Sequence, residues 1–379
     1  MTRLAEIFLV FLRLGLTSFG GPVAHLAYFR REFVERRRWL DAEAYAALVA
    51  LGQFLPGPAS SQVGMMLGLM RGGVAGAFAA FVAFTAPSAI LMTAFALLLP
   101  RIGGVAGAPW VHGLKLAAVA VVAQAVWGMA HGLLKDVPRA ILAALAAVAA
   151  IALPFAFTQL AVIAAAGLIG FVVVRPPAQA PALPPLPVRG TVSAGALILF
   201  VALLGGALIF PSFAAAFYRS GALVFGGGHV VLPLLQKAVV DTGWVDRATF
   251  LAGYGAAQAM PGPLFSFAAF LGAATHGIGG AALALGAIYL PSFLLVLGAA
   301  PLWHEAHRHP ALRAGIAAIN AAVVGLLAAA LYTPVWTGAV TSPEDGLIAV
   351  LLTLLLIGRN VPPWVIVILG IVLALVVPR

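Results

Sequence analysis

From Phe11 to His25 the chain reads FLRLGLTSFGGPVAH, and some two hundred residues on, from Phe217 to Pro233, it reads FYRSGALVFGGGHVVLP. Laid over one another, these stretches put Arg13, Gly15, Phe19, Gly20 and Gly21 on Arg219, Gly221, Phe225, Gly226 and Gly227. One deletion later the matches resume. Trp39 and Asp41 fall on Trp244 and Asp246, Gln53 on Gln258, Pro56-Gly57-Pro58 on Pro261-Gly262-Pro263, and Ser61 on Ser266. Further along, Gly73, Gly76 and Pro87-Ser88 match Gly277, Gly280 and Pro291-Ser292. Apolar helices matched by chance share Leu and Ala; sharing Arg, Gln, Trp and Pro in order requires a duplication.

Composition fixes the solvent of both copies. Hydrophobic residues make up 63% of the 379, charged residues 8%, and mean hydropathy is +1.10. A soluble domain carries roughly a quarter charged residues, so this surface must face lipid. The formal charge of +10 could suit nucleic acid. The basic residues instead sit in short loops between apolar runs, where they set topology and attract anions. No nucleic-acid partner is expected. The absence of cysteine excludes disulfides, thiolate metal sites and cysteine nucleophiles. The N-terminal apolar run contains Arg13 and lacks a small-residue cleavage site, so it reads as the first membrane segment and not as a removable signal.

A helix needs about 20 apolar residues to cross the hydrocarbon core. Residues 74–99, 110–134, 193–211, 279–300 and 311–331 meet that length, and 139–174 and 346–377 suit helical hairpins. Shorter apolar segments at 44–55 and 59–70 are joined by Pro56-Gly57-Pro58, and their counterparts at 247–260 and 264–275 by Pro261-Gly262-Pro263. Their length predicts re-entrant half-helices. The expected organisation is an all-α polytopic membrane protein: a first repeat over 1–174, a proline-rich linker over 175–190, an extra helix over 191–211 and a second repeat over 212–379. Five arginines against two glutamates in residues 30–38 place that loop in the cytoplasm, whereas its counterpart over 236–247 is balanced. With one extra span between the units, this predicts inverted repeats.

Arg13 and Arg219 each interrupt an apolar segment, at a cost of about 2.5–3.5 kcal/mol on insertion scales. A guanidinium presents a fork of donors to a tetrahedral oxyanion; for Arg13, snorkelling to the interface is the other reading. Gly20-Gly21-Pro22 and Gly226-Gly227-Gly228 end their segments where a broken helix would expose backbone N–H groups to an anion. Pro58 and Pro263 are placed to start the second half-helices, which sets Ser60, Ser61 and Gln62 in a first turn; a plain turn between spans is the alternative. Gln53 and Gln258 line the site or cross-link helices. His25 and His229 could titrate near neutrality or serve as structural helix-end residues. The His304-Glu305-His307-His309 group reads as a solvated loop, so no metal and no cofactor is expected. All eleven acidic residues fall near the N-terminus or in loops, which leaves any coupling to histidine, the substrate's own proton or a rim carboxylate.

The segment Phe11–His25, followed by Trp39-Leu40-Asp41 and by QFLPGPASSQVG from Gln53 to Gly64, resembles the signature of the chromate transporter family. The second half repeats it as Phe217–Pro233, Trp244-Val245-Asp246 and QAMPGPLFSF from Gln258 to Phe267, with Pro22 replaced by Gly228 and Ser60 by Phe265. The resemblance implies chromate export through the inner membrane, conferring resistance, with proton antiport as the coupling. Sulfate, with the same charge and nearly the same shape, is the rival substrate and the natural competitor. An intramembrane enzyme would need a nucleophile with its base, or metal ligands, at one depth, and the missing carboxylates and cysteines argue against it. The expected partners are the oxyanion and the lipid bilayer, with a homodimer left open. The site is expected between the two re-entrant hairpins: Arg13 and Arg219 supplying charge, Gly20, Gly21, Pro22, Gly226, Gly227, Gly228, Pro56, Gly57, Pro58, Pro261, Gly262 and Pro263 shaping backbone donors, and Ser60, Ser61, Ser266, Gln53 and Gln258 adding polar contacts.

Overall fold

The computed structural model describes residues 2–101, 108–153, 158–176, 186–225, 230–359 and 361–376, and no strand occurs among them. Gly226, Gly227, Gly228, His229 and the side chains of His304, Glu305 and His307 lie outside the described residues.

The first repeat opens with two helical hairpins. Helix α1 (Arg3–Thr17) ends at Ser18, and α2 (Gly21–Phe29) runs back, continuing as a π-helical stretch over Arg30–Arg36. Phe11 stacks on Phe33 with ring centroids 5.0 Å apart, and Arg37 pairs with Glu6 at 2.9 Å, so the two limbs are antiparallel. Helix α3 (Ala42–Phe54) then meets α4 (Ala59–Leu98) at the Pro-Gly-Pro turn. Helix α4 is two helices in fact, broken at Gly72-Gly73, where Gly73 takes φ +63° and ψ −158°. The limbs fold back so closely that a Cβ on Gly68 would strike the Gly76 carbonyl. Small residues permit this backbone approach. Arg71, at the turn, reaches Glu6 at 3.4 Å and lies over Trp39, which gathers the outer ends of both hairpins at one basic face.

After α5 (Pro109–Leu133), the short helices α6 (Val137–Ala152) and α7 (Thr158–Val173) form a third hairpin, its ends tied by Arg139 donating to the Arg175 carbonyl at 3.0 Å. Helix α8 (Gly190–Ile209) precedes the second copy: α9 (Phe213–Ala222), α10 (Val231–Val239), α11 (Arg247–Ala259) and, after a 3-10 turn over Leu264–Ser266, α12 (Phe267–Arg308). Helix α12 breaks at His276-Gly277 with the same backbone angles as α4, Gly277 taking φ +63° and ψ −154°. Phe213, Trp244 and His276 meet at that end as Glu6, Trp39 and Arg71 do in the first copy. Helix α12 runs on through Arg308, so residues 304–308, expected as loop, are helical in backbone. Helices α13 (Pro310–Ala330), α14 (Thr337–Ala339), α15 (Pro343–Arg359) and α16 (Pro363–Val376) complete the chain.

Ring contacts give the relative orientation of the copies. Phe78 meets Phe293 and Phe81 meets Tyr289, at 6.1 and 4.8 Å, so the equivalent long limbs of α4 and α12 run antiparallel and the repeats are inverted. The copies also interlock. Gly325 of α13 sits against the Ala143 backbone of α6, Gly170 of α7 against Ala318 of α13, and Gly113 of α5 against Gly370 of α16. Each terminal hairpin thus packs on the other copy. Among the described residues, five helical stretches are long and apolar enough to cross a membrane, and Val172, Leu347 and Ile198 stand more than two-thirds exposed, as a lipid-facing surface requires.

Candidate functional site

The two Pro-Gly-Pro turns dock on the opposite copy in matching ways. Gly57 N–H donates to the Val224 carbonyl at 2.7 Å, and Gly262 N–H to the Ser18 carbonyl at 2.9 Å. Gly57 rests on the Ser292 hydroxyl and Gly262 on the Ser88 hydroxyl, the serines of the matched Pro-Ser pairs. Both glycines hold positive φ, +128° and +93°, which lets the turns present N–H groups across the interface.

Capping distinguishes the helices that enter this crossing from those that leave it. The four entering helices carry side-chain N-caps at their outer ends: Thr2 for α1, Asp41 for α3, Ser212 for α9 and Asp246 for α11. Three returning segments start without one, at Gly20, Pro58 and Pro263. A helix start left without a cap keeps free N–H groups and about half a positive charge. His25 in the first turn of α2 joins Ser60 in the first turn of α4, Nδ1 to Oγ at 3.3 Å, which brings two of these starts together. Its Nε2 lies 3.2 Å from the Ser18 carbonyl that Gly262 also reaches.

Unpartnered polar atoms collect at the same place. Nine buried side-chain N or O atoms among the described residues lack a hydrogen-bond partner, and seven belong to the segments that meet here: Ser18, Ser61, Gln62, Thr85, Gln258, Tyr289 and Ser292. The Tyr289 hydroxyl faces those of Ser61 and Thr85, yet none of the three completes a hydrogen bond. Each such group costs about 1–3 kcal/mol. A fold that gathers them in one place has a use for them.

The other residues singled out in the sequence divide. Pro56 accepts from Gln62 Nε2 at 2.8 Å through its carbonyl, and Pro58 is the N-cap residue just before α4. Gly20 and Gly21 hold φ of +101° and +74°, with Pro22 in the following turn. Ser266, Pro261 and Pro263 are buried beside the crossing, whereas Gln53 is exposed. The arginines part company. Arg13 is exposed on the outer face of α1, while Arg219 is half-buried in a cavity of about 410 Å³ with Gln159, Ser220, Lys237, Asp241 and Thr242. Helix α8 covers α9, the Tyr218 hydroxyl donating to the Phe200 carbonyl, and Leu208 of α8 and Gln159 of α7 form part of the cavity wall around Arg219. Leu223, also in the cavity wall, adjoins the Val224 carbonyl that holds Gly57.

Two features escaped the sequence. Thr85 and Tyr289 lie within the spans 74–99 and 279–300 and carry no site expectation there; polar residues two positions before each matched Pro-Ser pair were the available signal. Asp345, expected in a loop, is buried in the first turn of α15, where His112 Nε2 lies 2.7 Å from its carboxylate and ties α5 of the first copy to α15 of the second. Among the described residues no cluster of His, Cys, Asp or Glu fit to hold a metal ion is found.

Inverted, interlocked helical repeats, with broken helices and Pro-Gly-Pro turns docked where the copies cross, define a multi-pass membrane transporter. The profile of the chromate transporter family matches residues 5–171 and again 211–375, once for each repeat. The chain belongs to the chromate transporter family, whose members are transporters and not enzymes. It is 30% identical to a chromate transport protein of Pseudomonas aeruginosa over 336 residues, 86% of this chain and 79% of that one. It is 28% identical to a chromate transport protein of Cupriavidus metallidurans, covering 93% and 88%, and 27% identical to an uncharacterized transporter of Methanocaldococcus jannaschii, covering 86% and 82%. No solved structure matches.

Proposed function

We propose that this protein moves chromate out of the cell across the cytoplasmic membrane, binding the dianion where the two inverted repeats cross. The observation that carries this reading is the capping pattern: entering helices are capped, the described returning starts are not, and His25 joins two of those positive starts, of α2 and α4. Gly20, Gly21, Pro22, Pro56–Pro58 and Pro261–Pro263 shape those starts in this reading, and Ser60, Ser61, Ser266 and Gln258 add polar contacts. Arg219, with Lys237 beside it in the cavity that Thr242 also lines, offers positive charge to the anion on its way out at the face opposite residues 30–38. Arg13 takes a lesser part because it faces outward. Rocking of one repeat against the other exchanges access. His25 is a titratable side chain at the crossing, which makes it, with His229, a candidate for proton coupling.

The test is chromate flux in everted vesicles, with sulfate as competitor and a proton ionophore as control. Arg219→Gln is expected to cut flux about tenfold, in keeping with loss of a charged contact worth about 1.5–3 kcal/mol, and Arg13→Gln to cut it less. Competition by sulfate would mean one shared site. Collapse of flux with the ionophore would support proton antiport. Wild-type vesicles without chromate flux would overturn the reading.

A further inference from the structure

We infer that the hydroxyls of Tyr289, Thr85 and Ser61 coordinate the tetrahedral oxyanion at the crossing, with Tyr289 setting its affinity; this rests on the transport reading above. Thr85 stands two residues before Pro87, and Tyr289 two residues before Pro291, so the duplication makes them equivalent positions. Equivalent residues that face one another across inverted repeats straddle the axis relating the repeats. The axis therefore passes between these two hydroxyls, at the point that either repeat can rock about without leaving.

The three side chains are closed off, with exposures of 1% for Tyr289, 2% for Thr85 and 3% for Ser61. Their hydroxyls face one another and are unpartnered. Phe81 and Phe265 pack on the Tyr289 ring at 4.8 and 5.7 Å, which holds the phenol in place and walls off water. Ser61 stands in the first turn of α4, which has no side-chain cap. Neutral O–H donors and a helix start suit a doubly charged anion that must be released again, since a buried guanidinium would hold it more tightly. A phenol is the most acidic of the three hydroxyls and the strongest donor among them. The second copy places Phe265 where the first has Ser60, so the pocket is one asymmetric site and not two.

The experiment is initial-rate chromate and radiolabelled sulfate uptake in proteoliposomes holding wild type, Tyr289→Phe, Thr85→Val or Thr353→Val. Tyr289→Phe keeps the ring and its packing, and Thr85→Val keeps the shape. Thr353 bonds its own helix at 2.7 Å on α15 and is the remote control. The expected result is a KM for chromate raised about tenfold in Tyr289→Phe and severalfold in Thr85→Val, with maximal rate and monodispersity retained and Thr353→Val unchanged. Wild-type KM in both Tyr289→Phe and Thr85→Val, alongside active wild-type transport, would overturn the inference and leave the transport reading standing. If wild type carried neither anion, the transport reading would fail, and equilibrium sulfate binding by detergent-purified protein would still decide. Binding weakened in Tyr289→Phe would support the cluster as an anion site; equal or absent binding would sink it.

Discussion

Gly57 and Gly262 occupy equivalent turns with φ of +128° and +93°, but their surroundings differ. A side chain at Gly57 would run into the Ser292 hydroxyl and the Gln62 amide, whereas at Gly262 the nearest atom, the Ser88 hydroxyl, stands 3.0 Å away. Both substitutions to Ala carry backbone strain of about 1–3 kcal/mol. Gly57→Ala adds a collision, so it should lower vesicle flux at least about tenfold and do more harm than Gly262→Ala, at matched expression on a blot. Glu32 is the other residue with a clear consequence. Burial alone would raise its pKa, but hydrogen bonds from Arg37 and Arg36 outweigh that and hold it below the ordinary value of 4.5. A carboxyl depressed in the folded state stabilises above its unfolded pKa and loses that contribution as pH falls through the folded one. Unfolding midpoints should therefore drop below about pH 4.5 in wild type, while Glu32→Gln, less stable at pH 7 by about 1–2 kcal/mol, should show a flatter acid limb. Neither effect was legible from residue type alone: the sequence marks Gly57 as a turn residue, and only the fold shows which copy leaves it no room.

The helices show how one local rule, repeated, builds a site. Thr, Asp and Ser stand at the outer starts and Gly or Pro at the inner starts of α2, α4 and the turn before α12, so the element boundaries near the Pro-Gly-Pro turns were readable in advance from capping chemistry. The breaks inside α4 and α12 were readable as well, from the matched Gly73 and Gly277. Both hold φ of +63° with nothing within 4 Å of an added Cβ, so substitution by Ala tests backbone conformation alone. Gly73→Ala and Gly277→Ala should each cost about 1–3 kcal/mol. Gly279→Ala, two residues along in ordinary helix and equally open, should be neutral or stabilise by up to about 1 kcal/mol. Unfolding midpoints followed by tryptophan fluorescence in detergent would order the three. The hairpin of the first α4 limb on the second was harder to see, because Gly68 and Gly76 meet only after the chain turns.

At the scale of the whole molecule, inversion places equivalent loops on opposite faces. The chain has no cysteine, so single cysteines can be introduced without a prior background to remove. Glu35→Cys and Thr242→Cys, both exposed, should react with a membrane-impermeant maleimide from opposite sides, Glu35→Cys from the cytoplasm by its basic loop. Labelling of both from the same side would contradict the antiparallel packing of α4 and α12. The interlocking of terminal hairpins ties the copies into one body, and the buried His112–Asp345 pair adds a polar link between them.

The sequence by itself determined the solvent, the duplication, the helical class, the broken helices at matched glycines and prolines, and the family. All of these depend on local or repeated patterns: hydropathy over a span's length, caps, turn residues, and identities that recur in order. The tertiary structure decided what those elements face. It set Arg13 outward and Arg219 in a cavity walled by α7, α8, α9 and α10, packing that the repeat alone does not encode. It also brought Tyr289 opposite Thr85 and His112 against Asp345. Those pairs join residues more than two hundred positions apart, and pairing over such separations is fixed by packing between copies, which no periodicity within either copy encodes.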